Sequence, residues 1–356
     1  MIPETTADIT VEWLNEVLGD AGVTGIRAED LGEGLGLLGE VARLHLDYAV
    51  GATGPATLIA KCQSPAPENR IVGQLMGFYA REVNFYNHLA TSVPVSVPGC
   101  RYAAAAEEGA PFVVLLDEVT GASPIDQIVG ANRVEAEKIV DTAVALHAAF
   151  WDNGRLDGLD WLPALNTPLN LAAAAMAEQK LPDFVKYWSG KLPDDAVQFV
   201  VDLTPHYPAL LDWWVAEAAS TLVHFDYRAD NFLVGGSAGD GVVTVLDWQF
   251  CMRGPGPWDV ANFLSASVTV DNRRAWEDDL VHRYHDGLLA AGVTGYEWDR
   301  CWRDYRYAVG QQAWSTLPMG DLDPGNERSR VLLDTLIPRY HAAATDLRVA
   351  EMLDLF

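Results

Sequence analysis

The sequence predicts an α+β fold in two lobes, a small β-rich N-terminal lobe over residues 1–118 and a larger, mostly helical C-terminal lobe over 119–356. Three observations carry this expectation. The chain has 356 residues, more than one ordinary domain needs. Its apolar residues alternate with period two in the first third and follow the helical period later. Between these regimes the apolar run 111–116 stops at Asp117-Glu-Val-Thr-Gly121, which reads as a hinge.

Val11, Leu14, Val17 and Leu18 recur at helical spacing behind Asp8 and Thr10, which can cap, and Gly19 offers a stop. A helix therefore precedes the first sheet. From Val41 the pattern alternates, with Ala42, Leu44, Leu46 and Tyr48 on one face and Arg43, His45 and Asp47 on the other, as in a half-buried strand. A turn containing Gly51, Gly54 and Pro55 leads into a second strand, Thr57-Leu-Ile-Ala-Lys61, and the two pair as a hairpin. Helix is predicted over 77–90, with Glu82 inside it. The run from Phe112 to Leu116 is continuous enough for a strand buried on both faces.

Beyond the hinge, Ile139, Val140, Ala143, Val144, His147, Phe150 and Trp151 share a helical stripe, and further helical patterns cover 210–219, 276–289 and 298–317. Short strands return at 232–234 and 242–246 around a Gly-rich turn. The alanine clusters near Ala103 and Ala172 read as loop and helix filler.

Hydrophobic residues make up 49% of the chain and charged residues 21%, a globular composition. With 24 basic and 50 acidic side chains the net charge is −26. Such a field repels nucleic acid and anionic membrane surfaces and draws in cations, which makes Mg²⁺ and a cationic substrate natural partners; it equally serves plain solubility. Cys62, Cys100, Cys251 and Cys301 are scattered without a CxxC pair, so a reducing cytoplasmic compartment is expected, with neither a disulfide framework nor a zinc knuckle. No basic, apolar-cored leader and no bilayer-length apolar segment is evident.

The chemistry concentrates in His224-Phe-Asp226-Tyr-Arg-Ala-Asp-Asn231, followed by an apolar strand ending at Asp247. The HxDxxxxN spacing with a third acidic residue at a strand end suits Mg-ATP phosphotransfer. Asp226 would orient an acceptor hydroxyl and draw off its proton, and Asn231 and Asp247 would hold metal ions against the phosphates. His224 reads as a structural brace, and Asp230 lacks the spacing of a metal ligand. Asp259, in Gly254-Pro-Gly-Pro-Trp-Asp259, is either a helix cap or an aspartate that holds the catalytic loop from below.

Gly34, Gly36 and Gly39 belong to a GxGxxGxV pattern. A Rossmann fingerprint opens a helix, whereas here a strand follows, as in a flap folded over phosphates. Glycine lets backbone amides approach phosphate oxygens. Lys61 at a strand end would neutralise the phosphates, with Glu82 on the next helix to aim it and Glu68 as a nearer acidic competitor. His282 and His285 share a helical face but lack a third ligand and read as surface residues.

Along the chain, GEGLGLLGEVARLHLDY, the Lys61 strand, REVNFYNHLA, FVVLLDEV, LHAAFW, LVHFDYRADNFLV, VLDWQF and GPGPWDVANFL occur in an order that resembles the aminoglycoside phosphotransferase and choline kinase superfamily, most closely its ecdysteroid-kinase-like branch. The resemblance implies a bilobal protein-kinase-like fold, with ATP between the lobes and its adenine bonded to hinge backbone near Asp117 and Val119. Phe225 departs from it, standing where many relatives have glycine. Trp248-Gln249 after Asp247, and the short segment to Asp259, point away from a protein kinase.

The implied function is ATP-dependent transfer of a γ-phosphate to a hydroxyl of a small molecule, cationic or polyhydroxylated, such as an aminoglycoside, amino sugar or amino alcohol. The enzyme would act as a monomer or homodimer, without nucleic-acid or membrane partners. The alternative is a catalytically silent nucleotide-binding pseudokinase acting as a sensor or partner, against which the intact Lys61, Asp226, Asn231 and Asp247 count.

Overall fold

The computed structural model describes residues 1–31, 38–319 and 327–355. The chain divides into two compact units, one of Met1–Ser123 with Leu233–Phe250, the other of Pro124–Phe232 with Cys251–Phe356.

In the first unit, helix α1 (Val11–Val17) starts where the Thr10 side chain accepts the Trp13 N–H at 3.2 Å, and Gly19, at φ 72°, turns the chain away. Strands β1 (Val23–Asp30), β2 (Gly39–Tyr48), β3 (Thr57–Gln63), β4 (Cys100–Ala105) and β5 (Phe112–Asp117) form an antiparallel sheet in the order β1-β2-β3-β5-β4. The alternation in β2 is realised, since Ala42, Leu44 and Leu46 are buried. On its other face Glu29 of β1 accepts from Arg43 at 2.9 Å and lies 2.8 Å from the His45 ring. Trp13 and Leu14 join Leu44, Leu58, Val113 and Leu115 in one core.

Helices α2 (Pro67–Leu75) and α3 (Phe78–His88) follow β3. Strand β5 is buried from Phe112 to Leu116 because both its faces are covered, Val113 and Leu115 by the α1 core and Phe112 by Tyr79 of α3, stacked at 4.4 Å. The alanines near Ala103 correct the loop expectation, for they form the edge strand β4. Pairing with β5 supplies what their weak strand preference does not.

After β6 (Ala122–Pro124) the second unit begins with α4 (Arg133–Phe150), opened by a capping box in which Asn132 Oδ1 accepts two N–H groups at 3.0 Å and Glu135 accepts the Asn132 N–H at 2.9 Å. Helices α5 (Pro168–Glu178), α6 (Leu181–Trp188), α7 (Asp194–Leu203) and α8 (Tyr207–Glu217) lead to β7 (Thr221–Val223). Strands β8 (Phe232–Gly235) and β9 (Val243–Val245) come next, and then β10 (Met252–Gly254), which pairs antiparallel with β7. Helix α9 (Pro257–Ser267) is buried along its whole length, packed by α11 (Trp298–Ser315) and α12 (Glu327–Asp346), while α10 (Val270–Ala290) lies on α4. His285 of α10 is not a surface residue as expected. It is buried, with Nε2 2.8 Å from the Tyr296 carbonyl, whereas His282 is only partly exposed and stacks on Trp298.

Strands β6, β8 and β9 make a three-stranded sheet. The 233–250 segment belongs to the first unit because its aromatic side chains pack on α3, Trp248 on Phe85 at 4.0 Å and Phe250 on Phe78 at 4.4 Å. Among the described residues no helix is long and apolar enough to cross a membrane.

Candidate active site

Two groups of polar side chains stand out, one in each unit. In the first, Lys61 lies opposite Val41 of β2 and Val114 of β5, so the sheet fixes its backbone from both sides. Its Nζ is 2.8 Å from Glu82 Oε2 and 2.7 Å from Asp247 Oδ1. The Glu82 side chain is 1% exposed, Lys61 11% and Asp247 29%, so the group opens to solvent through the aspartate. Burial opposes the charged ammonium, but the Asp247 and Glu82 charges outweigh it and hold Lys61 above its ordinary value. Burial pushes Glu82 up, with Lys61 opposing and Asp247 reinforcing the rise.

The choice of Glu82 over Glu68 follows from packing. Glu82 is on the buried face of α3, whereas Glu68 is exposed on α2. The guanidinium of the neighbouring Arg81 donates to the Met76 carbonyl at 3.0 Å and lies over Phe78. Asp247 adopts a left-handed φ of 60°, a conformation aspartate tolerates better than most residues. Gln249 Nε2 donates to its Oδ2 at 3.2 Å, and the stacked Trp248 anchors the segment.

Of the predicted phosphate-loop glycines, Gly34 and Gly36 lie outside the described residues. Gly39 begins β2, where a Cβ would sit 3.1 Å from the Cys62 carbonyl and 3.3 Å from Lys61 Cε, so a side chain there would press on the lysine. Asp117 ends β5 with its carboxylate on Arg101 at 2.7 Å, and the partly exposed Val119 follows.

In the second unit the loop after β7 is clamped through its backbone. Asp259, fully buried in the first turn of α9, accepts the N–H of His224 at 2.7 Å and of Phe225 at 2.8 Å. The brace reading of this residue is therefore the one the geometry realises. His147 Nε2 lies 3.1 Å from the same carboxylate, and Tyr284 Oη is 2.8 Å from His147 Nδ1. Trp258 Nε1 and Asn262 Nδ2 both donate to the Phe225 carbonyl at 3.0 Å, and the Ala229 N–H donates to Ser267 Oγ at 2.8 Å. The clamp holds Phe225 at φ 74°, a conformation that costs a bulky residue on the order of 1–3 kcal/mol.

Asp226 and Asn231 meet in this loop. Asn231 Nδ2 donates to the Asp226 carbonyl at 2.7 Å and to its Oδ2 at 3.0 Å, which leaves the amide oxygen as the ligand atom the residue can offer. Arg228, absent from the sequence expectations, bridges Asp226 at 3.0 Å and Asp230 at 2.7 Å. Burial opposes its charge, yet the two carboxylates hold the guanidinium above its ordinary value. His147, Trp258, Asn262 and Ser267 were also missed as site residues. Trp258 and Asn262 flank Asp259 at one-turn spacing on α9, a pattern visible in sequence once Asp259 is taken as the brace.

The donor chemistry fits Mg²⁺. The Lys61 group sets two carboxylates against one ammonium, and the Asp226 group sets two against one guanidinium, so each carries excess negative charge. Among the described residues no three His, Cys, Asp or Glu side chains gather into a metal cage. Mg²⁺ takes one or two carboxylates alongside phosphate oxygens and water, not such a cage.

The family model of the phosphotransferase enzyme family matches residues 45–301. The chain belongs to this family. The match takes in Lys61, Glu82, the 224–231 loop, Asp247 and Asp259, and begins after the glycine pattern. No curated protein matches the chain. Among solved structures it is similar to an ethanolamine kinase from Plasmodium vivax at 10% identity and TM-score 0.54, covering 91% of this chain and 81% of that one. A choline kinase from Cryptosporidium parvum Iowa II follows at 10% identity and TM-score 0.53, with 96% and 95% covered. The GDP complex of wild-type aminoglycoside 2'-phosphotransferase-IIIa is similar at 10% identity and TM-score 0.52, with 94% and 96% covered. At such identities the likeness establishes the fold, which for this phosphotransferase is the α+β, protein-kinase-like one that the sequence predicts.

Proposed function

We propose that the chain is an ATP-dependent small-molecule kinase that moves the γ-phosphate to an acceptor hydroxyl. The observation that carries this reading is the joining of Lys61 to both Glu82 and Asp247, from a strand, a helix and a strand end far apart in sequence. A buried ammonium so held is a point charge aimed at phosphates. Residues 1–118, with Asp247 added, would serve the nucleotide, with Gly34, Gly36 and Gly39 on its phosphates and the Asp117–Val119 backbone on its base. Residues 119–356 would supply the base and the acceptor pocket.

Asp226 is the base. Its partly exposed carboxylate is fixed by Asn231 and Arg228, so an acceptor hydroxyl hydrogen-bonded to it would be oriented and would pass its proton to the carboxylate as the oxygen attacks. Asn231 and Asp247 would hold Mg²⁺, which when bound neutralises charge on the phosphate oxygens. The net charge of −26 favours a cationic or polyhydroxylated acceptor, such as an aminoglycoside, amino sugar or amino alcohol.

The test is ATP turnover against a panel of such alcohols, for wild type and Asp226→Ala. Turnover on at least one acceptor, lost about 10²- to 10⁴-fold in the variant, is expected. Full activity in Asp226→Ala, or no phosphorylated acceptor, would overturn the reading.

A further inference from the structure

Phe225 immediately precedes the proposed base, and three hydrogen bonds fix its backbone in a conformation that suits glycine. A glycine would take that path without strain, so the ring is retained against a conformational cost. Its surroundings indicate what the ring does. It stacks on Trp258 at 4.5 Å with 10° between planes, and Trp258 stacks in turn on Trp214 at 6.0 Å. Trp214 and Trp258 are buried, whereas Phe225, at the end of the ladder, is partly exposed. Asp226, one Cα step of about 3.8 Å further on, is also partly exposed.

An acceptor whose hydroxyl meets Asp226 therefore lies within reach of a rigid aromatic face. Stacking on Trp258 and the backbone clamp remove the rotamer and loop freedom that binding would otherwise have to restrict. We propose that Phe225 is a specificity-determining residue, whose partly exposed ring selects alcohols carrying a flat ring beside the reacting hydroxyl over acyclic ones. This rests on the phosphotransfer reading for the place of the hydroxyl and extends it to the shape of the acceptor.

The experiment is calorimetric titration of the full chain with matched alcohols, ethanolamine against aminobenzyl alcohol and aminopropanol against aminophenylpropanol, together with phosphorylation of each. Wild type should bind the ring-bearing member of each pair about tenfold more tightly. Phe225→Gly should erase that preference without losing the fold, since glycine suits the positive φ, and Phe225→Tyr should keep it. Equal affinities within the pairs, a preference that survives in Phe225→Gly, or no binding of any of the four would overturn the inference. Phosphorylation of the acyclic alcohols without ring preference overturns it alone. Ring preference in binding without phosphorylation of any alcohol, on the other hand, upholds the ring subsite and counts against the phosphotransfer reading.

Discussion

The Lys61 group and the loop that carries Asp226 hold their functional atoms by opposite means. Lys61, Glu82 and Asp247 are drawn from positions up to 186 residues apart and are held by one another, side chain to side chain. In the loop the functional groups lie within residues 224–231, and the backbone is gripped from outside by Asp259, Trp258, Asn262 and Ser267. A group held by mutual charge keeps a partner when one member is lost, because Lys61 has two carboxylates. A clamped backbone loses two bonds at once with Asp259, since that one carboxylate accepts the N–H groups of both His224 and Phe225.

The largest expected effects separate the two groups by function. Asp226→Ala should lower turnover about 10²- to 10⁴-fold while leaving nucleotide affinity within a few-fold, whereas Asp247→Ala should lower both. Steady-state rates and calorimetric nucleotide titration check this, and an unchanged affinity in Asp247→Ala would remove the distinction. Next comes stability. Asp259→Ala should cost about 3–5 kcal/mol in urea unfolding, because it strands a buried network, whereas Glu82→Gln should cost about 1 kcal/mol since Asp247 still pairs with Lys61. Equal losses would break the comparison.

Acid should weaken the second unit through a buried histidine, while the Lys61 ammonium stays charged. Burial holds His341, packed against Thr316, down to about 4. Between pH 6.5 and 4 the unfolded chain binds more protons than the folded one, so this contribution is full above pH 6.5 and is lost as the pH falls, by about 3 kcal/mol. Lys61, raised above its ordinary 10.5, loses its contribution only as the pH rises beyond that value. The fall in unfolding free energy between pH 7 and 4 should therefore be smaller in His341→Asn than in wild type. An identical fall would mean that His341 does not titrate differently on folding. The smallest effect belongs to the exposed Arg101–Asp117 pair. Arg101→Ala should change stability by less than about 1 kcal/mol, in contrast to the buried pairs.

Much of the fold was legible because periodicity reports local burial. The alternation in β2, the all-apolar β5, and the stripes of α4, α8, α10 and α11 each mark a face set by neighbouring residues. Strand β4 was not legible, since alanine carries little strand signal and its pairing partner β5 decided the outcome. His285 failed as a surface residue because an α10 face is defined by what packs on it, here Tyr296 and Trp298. At the candidate site, Asp226 and Asn231 could be paired from spacing because a short loop confines them. Glu82 and Glu68 were open alternatives for Lys61 until helix packing buried one and exposed the other.

The sequence by itself determined the order of elements, the HxDxxxxN loop and the acidic strand end, all of which depend on residues a few positions apart. Only the tertiary structure decided that Asp259 grips the loop, that His147 and Tyr284 stand behind it, that Arg228 bridges Asp226 and Asp230, and that Phe225 stacks on Trp258 in a left-handed conformation. The physical reason is that pairing and burial between distant segments follow from where separately specified elements come to rest. Burial then sets the strength of each charge and hydrogen bond that a linear sequence can only name.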